Sequence, residues 1–332
     1  MTSGTASSPV ALADLQSPVA ARLAEVRQYL QRLIAADFPL ISQVNTHLLQ
    51  MQGKMLRPTL LLLANEATTP SPPERSVALA SVVELIHLAT LVHDDSVDHS
   101  VLRRGMPTIN SLFSHQISVI MGDYLYSRAV IELVRLSDLP ALRVLARVTN
   151  EMTVGEMRQL LAHDKLAFSE EDYDLLITAK TASLISGACE VGALGGTPAE
   201  QAAMRRFGEC LGKAFQIVDD LLDYQGEAAQ TGKPSGLDLR EHKVTLPLIH
   251  ALPMMSRAER SRVEALMADP EPGDAQITAV MSAVAARGGL HYAQERARSL
   301  CVEAEAALDR IRPGPARDTL RSSLTYVLER RS

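Results

Sequence analysis

Two acidic strings in this 332-residue chain repeat one spacing: HDDSVD sets Asp94, Asp95 and Asp98 at i, i+1 and i+4, and VDDLLD does the same with Asp219, Asp220 and Asp223. On a helix of 3.6 residues per turn the members of each triad fall within about 100° of arc, so each triad shares one face. The approaches are apolar, through Leu88, Ala89, Leu91 and Val92 in the first case and Phe215, Ile217 and Val218 in the second. A solvated acidic face would carry Lys, Glu or Gln there instead. Carboxylates crowded into a cleft repel one another and lose hydration, at several kcal/mol per ion, and divalent cations relieve both costs. All-oxygen ligands select a hard ion. Mg2+ fits, since it is held by one or two carboxylates and completes its shell with substrate phosphate oxygens and water.

Cations complete the pattern. Lys54 and Arg57 in QGKMLRP, Arg103 and Arg104 in LRRGMPT, Lys180 in AKTASL, and Lys233 and Lys243 in a long polar stretch all lie beside apolar segments. Arginine binds phosphate as a two-pronged fork and lysine as a point charge, so a site for two diphosphates would use both.

The elements that must position these groups read as helices throughout. Ala, Leu, Arg, Glu and Met dominate every long segment, and no run sustains the period-two alternation of strands. The fold class is all-α: a single large helical bundle over residues 11–332, preceded by a disordered tail over 1–10. Gly and Pro cluster at TTPSPPE, SDLP, GGTPAE, MADPEPGD and RPGP, which punctuate segments of helical length. The stretch GEAAQTGKPSGLDLREHK, 226–243, follows the second triad and is long for a loop in a compact domain, as a lid would be.

Bulk properties narrow the function. A formal charge of -6 gives no basic field for nucleic acid or an acidic membrane. With no apolar run approaching the ~20 residues of a membrane helix, and no signal-peptide pattern at the N-terminus, the expectation is a cytoplasmic protein without stable membrane insertion. Cys189, Cys210 and Cys301 are widely spaced and odd in number, so they read as reduced core residues.

The string VELIHLATLVHDDSVDHSVLRRGMPT, with QGKMLRP before it and FQIVDDLLDYQGEAAQTGKPSGLDLREHKVTLPLI after it, resembles the trans-isoprenyl diphosphate synthase (polyprenyl synthetase) family in motif order and spacing. The likeness runs from about residue 50 to 250. It implies an isoprenoid-synthase bundle around a central elongation cavity, in which an allylic diphosphate such as farnesyl diphosphate is condensed with isopentenyl diphosphate. On that likeness both triads hold Mg2+, with Asp94, Asp98 and Asp219 as direct ligands. Arg103, Lys180 and Lys243 contact the allylic diphosphate, and Lys233 closes over it. Lys54, Arg57, His87 and Arg104 form the metal-free isopentenyl pocket, while Thr181 and Gln216 lie near the reacting carbons. Asp123 and Glu156 match family segments and are assigned to helix packing. Two departures are visible: QGKM stands where relatives more often show GGKR, and His99 follows the first triad where an acidic residue is frequent.

Within that family the product grows along the helix of the first triad, and bulky residues one or two turns before it form a floor. Here those positions are Ala89, Thr90 and Ile86, with Val83 deeper. Since Ala89 lies about 7.5 Å and Thr90 about 6 Å from Asp94 at 1.5 Å per residue, no aromatic blocks the first stretch. The expectation is a medium to long all-trans product. The family also implies a homodimer. A shorter-chain farnesyl or geranylgeranyl diphosphate synthase, a class I terpene cyclase and a regulatory subunit of a heteromeric synthase are the competing readings. The second DDxxD and the low aromatic content, 4% with no Trp, count against the cyclase, and the intact triads count against the regulatory subunit.

Overall fold

The computed structural model describes residues 10–51, 53–70, 72–161, 165–225 and 236–330. The chain forms α1 (Leu12–Gln16), α2 (Ala20–Ile34), α3 (Pro39–Gln50), α4 (Leu56–Ala67) and α5 (Pro73–Val97). A hairpin of β1 (Leu102–Arg103) and β2 (Met106–Pro107) leads into α6 (Ile109–Leu112), α7 (His115–Arg135) and α8 (Leu139–Leu161). Next come α9 (Glu170–Ile177), a π-helical turn (Thr178–Ala182), α10 (Ser183–Gly192) and α11 (Pro198–Gln225). The remainder is α12 (Leu237–Arg240), α13 (Leu246–Ala251), α14 (Arg257–Ala268), α15 (Asp274–Ala286), α16 (Gly289–Leu308) and α17 (Pro315–Glu329). The all-α expectation holds, and the single hairpin has a specific task described below.

The main core runs through α2, α4, α5, α7, α10, α11, α16 and α17. A smaller cluster joins Tyr224 and Leu239 to α13, α14 and α15. Val10, the one residue of the expected 1–10 tail among those described, packs half-buried against the main core. Residues 1–9 lie outside the described residues.

One expectation needs correction. α5 contains an 18-residue window of mean hydropathy 1.6 with few charges, long and apolar enough by composition to cross a membrane. The chain therefore does have such a run. In the fold 72% of that window is buried inside the molecule, against α2, α4, α7 and α10. A helix apolar on every side is what a central core position requires.

Two glycines set the distance between α10 and α11. A Cβ on Gly208 would lie 2.7 Å from the Ser186 Cα, and one on Gly212 would lie 2.6 Å from the Ala182 Cα. Their absence lets α11 lie backbone to backbone along α10 and the π turn, which brings the C-terminal half of α11, with the second triad, opposite Lys180 and Thr181.

Candidate active site

The first triad ends α5. Asp94 and Asp95 occupy the last turn and Asp98 is the C-cap residue, its N–H donating to the Asp94 carbonyl at 2.8 Å. The three carboxylates are not equivalent. Asp95 is buried and turned to Arg103, whose Nε reaches both carboxylate oxygens at 2.8 and 2.9 Å and whose Nη2 adds a contact of 2.8 Å. Burial raises the Asp95 carboxyl and Arg103 opposes that rise. Asp94 has no such fork. Burial pushes its carboxyl up to about 6, with Glu156 and Asp98 adding to the rise and Lys180 and Arg103 opposing it. A proton or a cation therefore gains by binding there.

Arg103 owes its place to the hairpin. Arg104 and Gly105 form its two-residue loop with φ of 53° and 76°, both in the left-handed region that twists a tight hairpin correctly. Gly takes that conformation freely, whereas Arg104 bears strain there, as residues at functional sites often do. The loop aims the Arg103 and Arg104 side chains to different partners. Arg104 Nη1 donates to the Met51 carbonyl at 2.8 Å.

That carbonyl precedes the QGKM segment. Met55, where relatives more often carry a basic residue, is left-handed (φ 55°) at the N-cap of α4, and its side chain is buried in the main core. The departure thus places an apolar side chain in the core at this position. Lys54 and Arg57 flank it. Burial pulls the Lys54 ammonium down, as do Arg330 and Arg104, while Asp219 opposes them. Arg57 has a fully enclosed Nε without a hydrogen-bond partner, and its guanidinium is shifted down by burial and by Arg104, with Glu84 opposing. His87, half-buried on α5, is held neutral: burial pushes it well below its ordinary value, and Arg57, Arg104 and Arg103 push the same way.

Across the cleft, the π turn carries Lys180 and Thr181. A π turn inserts one residue into the helix and re-aims its neighbours. Lys180 Nζ meets Glu156 Oε1 at 2.7 Å. Thr181 Oγ1 donates to Gln216 Oε1 at 2.8 Å, Gln216 Nε2 donates to Asp220 Oδ1 at 2.8 Å, and Tyr173 Oη donates to Asp220 Oδ2 at 2.5 Å. Asp220 is buried, and its carboxyl is raised well above its usual range by burial and Asp238, with the Tyr173 and Gln216 bonds opposing.

Asp223 accepts from the N–H groups of Leu237 and Asp238 at 2.9 and 3.0 Å, tying α12 to the end of α11. Asp219 stays half open to solvent and pairs with Arg330 beyond α17. Lys243 pairs with Glu241 at 2.6 Å. Burial pulls its ammonium down, but Glu241, Asp238 and Asp98 outweigh that and leave it raised. Lys243 thus feels both the Asp98 and the Asp238 sides of the cleft. Lys233 lies outside the described residues, as does most of the 226–243 stretch.

Among the described residues no three acidic, histidine or cysteine side chains already converge as a metal cage. Asp95, Asp220 and Asp223 are held by an arginine fork, by Tyr173 with Gln216, and by two backbone N–H groups, whereas Asp94 and Asp98 have no ion pair among the described residues and Asp219 has one, to Arg330, that leaves it half open; these three are the carboxylates best able to turn to a cation. Of the positions expected to set product length, Ala89 and Ile86 are buried, and Thr90 is half-buried with its hydroxyl donating to the His87 carbonyl at 2.8 Å.

Sequence reasoning misplaced or missed four carboxylates. Glu156 is not a packing residue but the ion-pair partner of Lys180. Asp123 is likewise no packing residue: its side chain is exposed and lies 3.3 Å from His93 Nε2. Asp238, its carboxyl raised to about 7 by burial and Asp223 with Lys243 opposing, adds an acid to the second cluster. Glu84, buried on α5, faces Arg57 and Arg104. Its one sequence signal was its place on the face of a core helix where an uncompensated acid is costly.

Residues 38–284 match the family model described as polyprenyl synthetase. The chain is 36% identical over 318 residues to the all-trans-nonaprenyl-diphosphate synthase (geranyl-diphosphate specific) of Rhodobacter capsulatus, covering 96% of this chain and 97% of that one. It is 35% identical over 302 residues to the octaprenyl diphosphate synthase of Escherichia coli strain K12, covering 90% and 92%. The fold superposes with a TM-score of 0.92, at 32% identity over 98% of this chain and 99% of the other, on a polyprenyl synthase from Caulobacter crescentus CB15 complexed with calcium and isoprenyl diphosphate.

Proposed function

Since the chain belongs to the polyprenyl synthetase family, we propose that it adds isopentenyl diphosphate units repeatedly to an allylic diphosphate such as farnesyl diphosphate, using Mg2+, to give a medium- or long-chain all-trans polyprenyl diphosphate. The observation that carries this reading is the pairing of two unlike anion sites in one cleft. On one side, Asp94 and Asp98 lack a basic fork while Asp219 holds only an exposed one-sided pair, and Lys180 and Lys243 stand close by. On the other, Arg57 and Arg104 gather around a neutral His87 with no triad member among them. The first suits a diphosphate that arrives with metal and the second one that arrives without.

Asp94, Asp98 and Asp219 would hold Mg2+, which neutralises charge as it develops on the departing diphosphate. Lys180, released from Glu156, and Lys243 add fixed positive charge at the same oxygens. Arg103 is braced by Asp95 and so arrives already oriented. The Thr181 hydroxyl and the Gln216 amide form a fixed chain ending on Asp220, and their oxygen dipoles would face the allylic cation. Arg57 and Arg104 hold isopentenyl diphosphate so that its alkene attacks that cation. The lost proton goes to the released diphosphate, since His87 is kept neutral inside a cationic pocket and is a poor base there.

A second copy of the chain belongs to the reading. Ile120, Ile131 and Val134 are exposed on α7, and their spacings of 11 and 14 residues place them within about 60° of arc. Such a stripe suits burial in a homodimer in the cytoplasm. The deciding experiment incubates the purified chain with Mg2+, farnesyl diphosphate and isopentenyl diphosphate and separates products by chromatography. A ladder of elongated diphosphates is expected. A cyclic hydrocarbon would point to a cyclase, and no product to a chain that needs a second subunit; either overturns the proposal.

A further inference from the structure

The second triad leans on a segment too short to hold itself. α12 has four residues, far fewer than a helix needs to be stable alone. Yet both oxygens of the Asp223 carboxylate are given to its first N–H groups, those of Leu237 and Asp238. The Asp238 carbonyl in turn accepts from the Lys243 N–H at 2.7 Å. Asp223 and the backbone of Lys243 are therefore joined through α12, and whatever fixes α12 fixes both.

A left-handed residue turns the chain at each end of α12. Gly236 has φ of 75°, and a Cβ there would lie 2.3 Å from Ile277 Cγ2, so the entry demands glycine. The exit is a helix stop closed by two bonds: the Lys243 N–H reaches the Asp238 carbonyl and the His242 N–H reaches the Leu239 carbonyl at 3.1 Å, with His242 left-handed at φ 57°. Glycine is the usual residue at such a stop, because a Cβ strains it. Histidine stands there instead, and its ring does what glycine could not. His242 Nε2 donates to the Asp269 carbonyl, 27 residues on, at 2.7 Å. Arg240 makes a parallel reach, Nη1 to the Pro272 carbonyl at 3.0 Å and Nη2 to Asp274 Oδ1 at 2.5 Å.

The loop they grasp, between α14 and α15, is stiff. Pro270 and Pro272 restrict its backbone. The Asp269 carboxylate accepts from the Glu271 N–H and from Gln276 Nε2, each at 3.1 Å, and Gln276 Oε1 accepts from the Gly273 N–H at 2.8 Å. Leu239, fully buried, seats α12 on the same smaller core as Val263 and Leu266 of α14 and Ile277 of α15.

We propose that His242 is a positioning residue for the metal-bound diphosphate: its left-handed turn and its bond to the Asp269 carbonyl, seconded by Arg240, hold α12 against Asp223 and set Lys243 beside the second triad. The inference rests on the reading of Lys243 and that triad given above. It separates binding from stability, because His242→Gly relieves the left-handed strain while cutting the tie. A purely structural histidine would move the melt and leave the allylic site untouched.

The test measures binding of farnesyl thiodiphosphate, an unreactive allylic analogue, by calorimetry with Mg2+, together with thermal melts of the substrate-free protein and steady-state KM for each substrate. It compares the wild type with His242→Gly and Arg240→Met. For His242→Gly the melting temperature should stay within about 2 °C of wild type or rise. Its Kd for the analogue and its KM for the allylic diphosphate should each rise roughly fivefold, because the ligand must then order the segment, with KM for isopentenyl diphosphate within about twofold of wild type. Unchanged or tighter analogue binding overturns the inference, and so does an equal rise in the isopentenyl KM. Should His242→Gly fail to give a cooperative melt, Arg240→Met decides: the left-handed turn is kept and the neighbouring tie is cut, and Kd for the analogue should rise about threefold, an unchanged Kd being the contrary result. A wild type that binds the analogue but does not elongate sinks the enzymatic reading and leaves this comparison standing. A wild type that does not bind it overturns both.

Discussion

The Arg330 guanidinium rests on the Asp219 carboxylate, 111 residues earlier in the chain, and lies 4.0 Å from the centre of the Phe215 ring. The segment just after α17 thus stands beside the second triad, its Arg330 held by both a charge and an aromatic face. A metal ion that takes Asp219 must displace it. Arg330→Gln should therefore lower the Mg2+ concentration needed to raise the melting temperature of the substrate-free protein, by about two- to fivefold for a pair with one exposed partner. A metal titration by differential scanning fluorimetry reads this directly. An unchanged midpoint would remove Asp219 from the metal site.

Asp94 makes a prediction about stability as well as turnover. Its carboxyl is raised from an ordinary 3.8 to about 6, so the folded state binds the proton more tightly than the unfolded chain. The contribution of Asp94 to stability is therefore full below about 4, declines as pH rises to about 6, and stays low above that. The shift sets an upper bound of about 3 kcal/mol, reduced because the side chain keeps some contact with water. Asp94→Asn should melt a few degrees higher than wild type at pH 8 without metal and no higher at pH 4. Its turnover should fall below about a hundredth if Asp94 is the metal ligand proposed above. Equal melting temperatures at pH 8, or substantial activity, would contradict the assignment.

Tyr173 is the outer end of the chain that runs from Thr181 through Gln216 to Asp220. Tyr173→Phe keeps the ring and removes the donor to a buried carboxylate, which costs about 1–3 kcal/mol. Urea unfolding should show that loss with an unchanged m-value. The maximal rate should fall about tenfold while KM for isopentenyl diphosphate holds, because the change reaches the reacting carbons only through the chain. A raised isopentenyl KM with a normal rate would place Tyr173 in the wrong pocket.

Ala89 is buried on the core helix α5, three residues past Ile86 and six past Val83, both also buried. Ala89→Phe should raise a floor about 7.5 Å from Asp94 and shorten the product from roughly thirty to fifty carbons to roughly fifteen to twenty. If Ala89 instead only packs against a neighbouring helix, the extra ring costs about 1–3 kcal/mol and leaves the product unchanged. Product chromatography and a thermal melt together separate the two.

Sedimentation at micromolar concentration should give a mass near twice the 36.0 kDa of one chain, and Ile131→Glu on the exposed stripe of α7 should shift it toward one chain. A wild-type mass near 36.0 kDa would refute the dimer.

Much of this was legible in one dimension because it depends on local spacing. Helical composition, the i, i+1, i+4 triads and the apolar turns before them are properties of neighbouring residues, and α5 and α11 carry the triads where the pattern placed them. The division of the cations between two anions came from the likeness to a known family, not from local spacing. What the sequence could not assign was which carboxylates already have partners. Asp94, Asp95 and Asp98 look alike on a helical wheel, yet Asp95 is bound by Arg103 because a two-residue turn at Arg104 and Gly105 folds that fork back onto α5. Asp219 and Asp220 are adjacent, yet one faces Arg330, 111 residues later in the chain, and the other Tyr173, 47 residues earlier. Glu156, Glu84 and Asp238 gain their meaning from partners 24, 27 and 15 residues away or more, at Lys180, Arg57 and Asp223. Charge is a property of residue type, but whether a charge is compensated depends on what the fold brings within a few ångströms of it, and only the tertiary structure decides that.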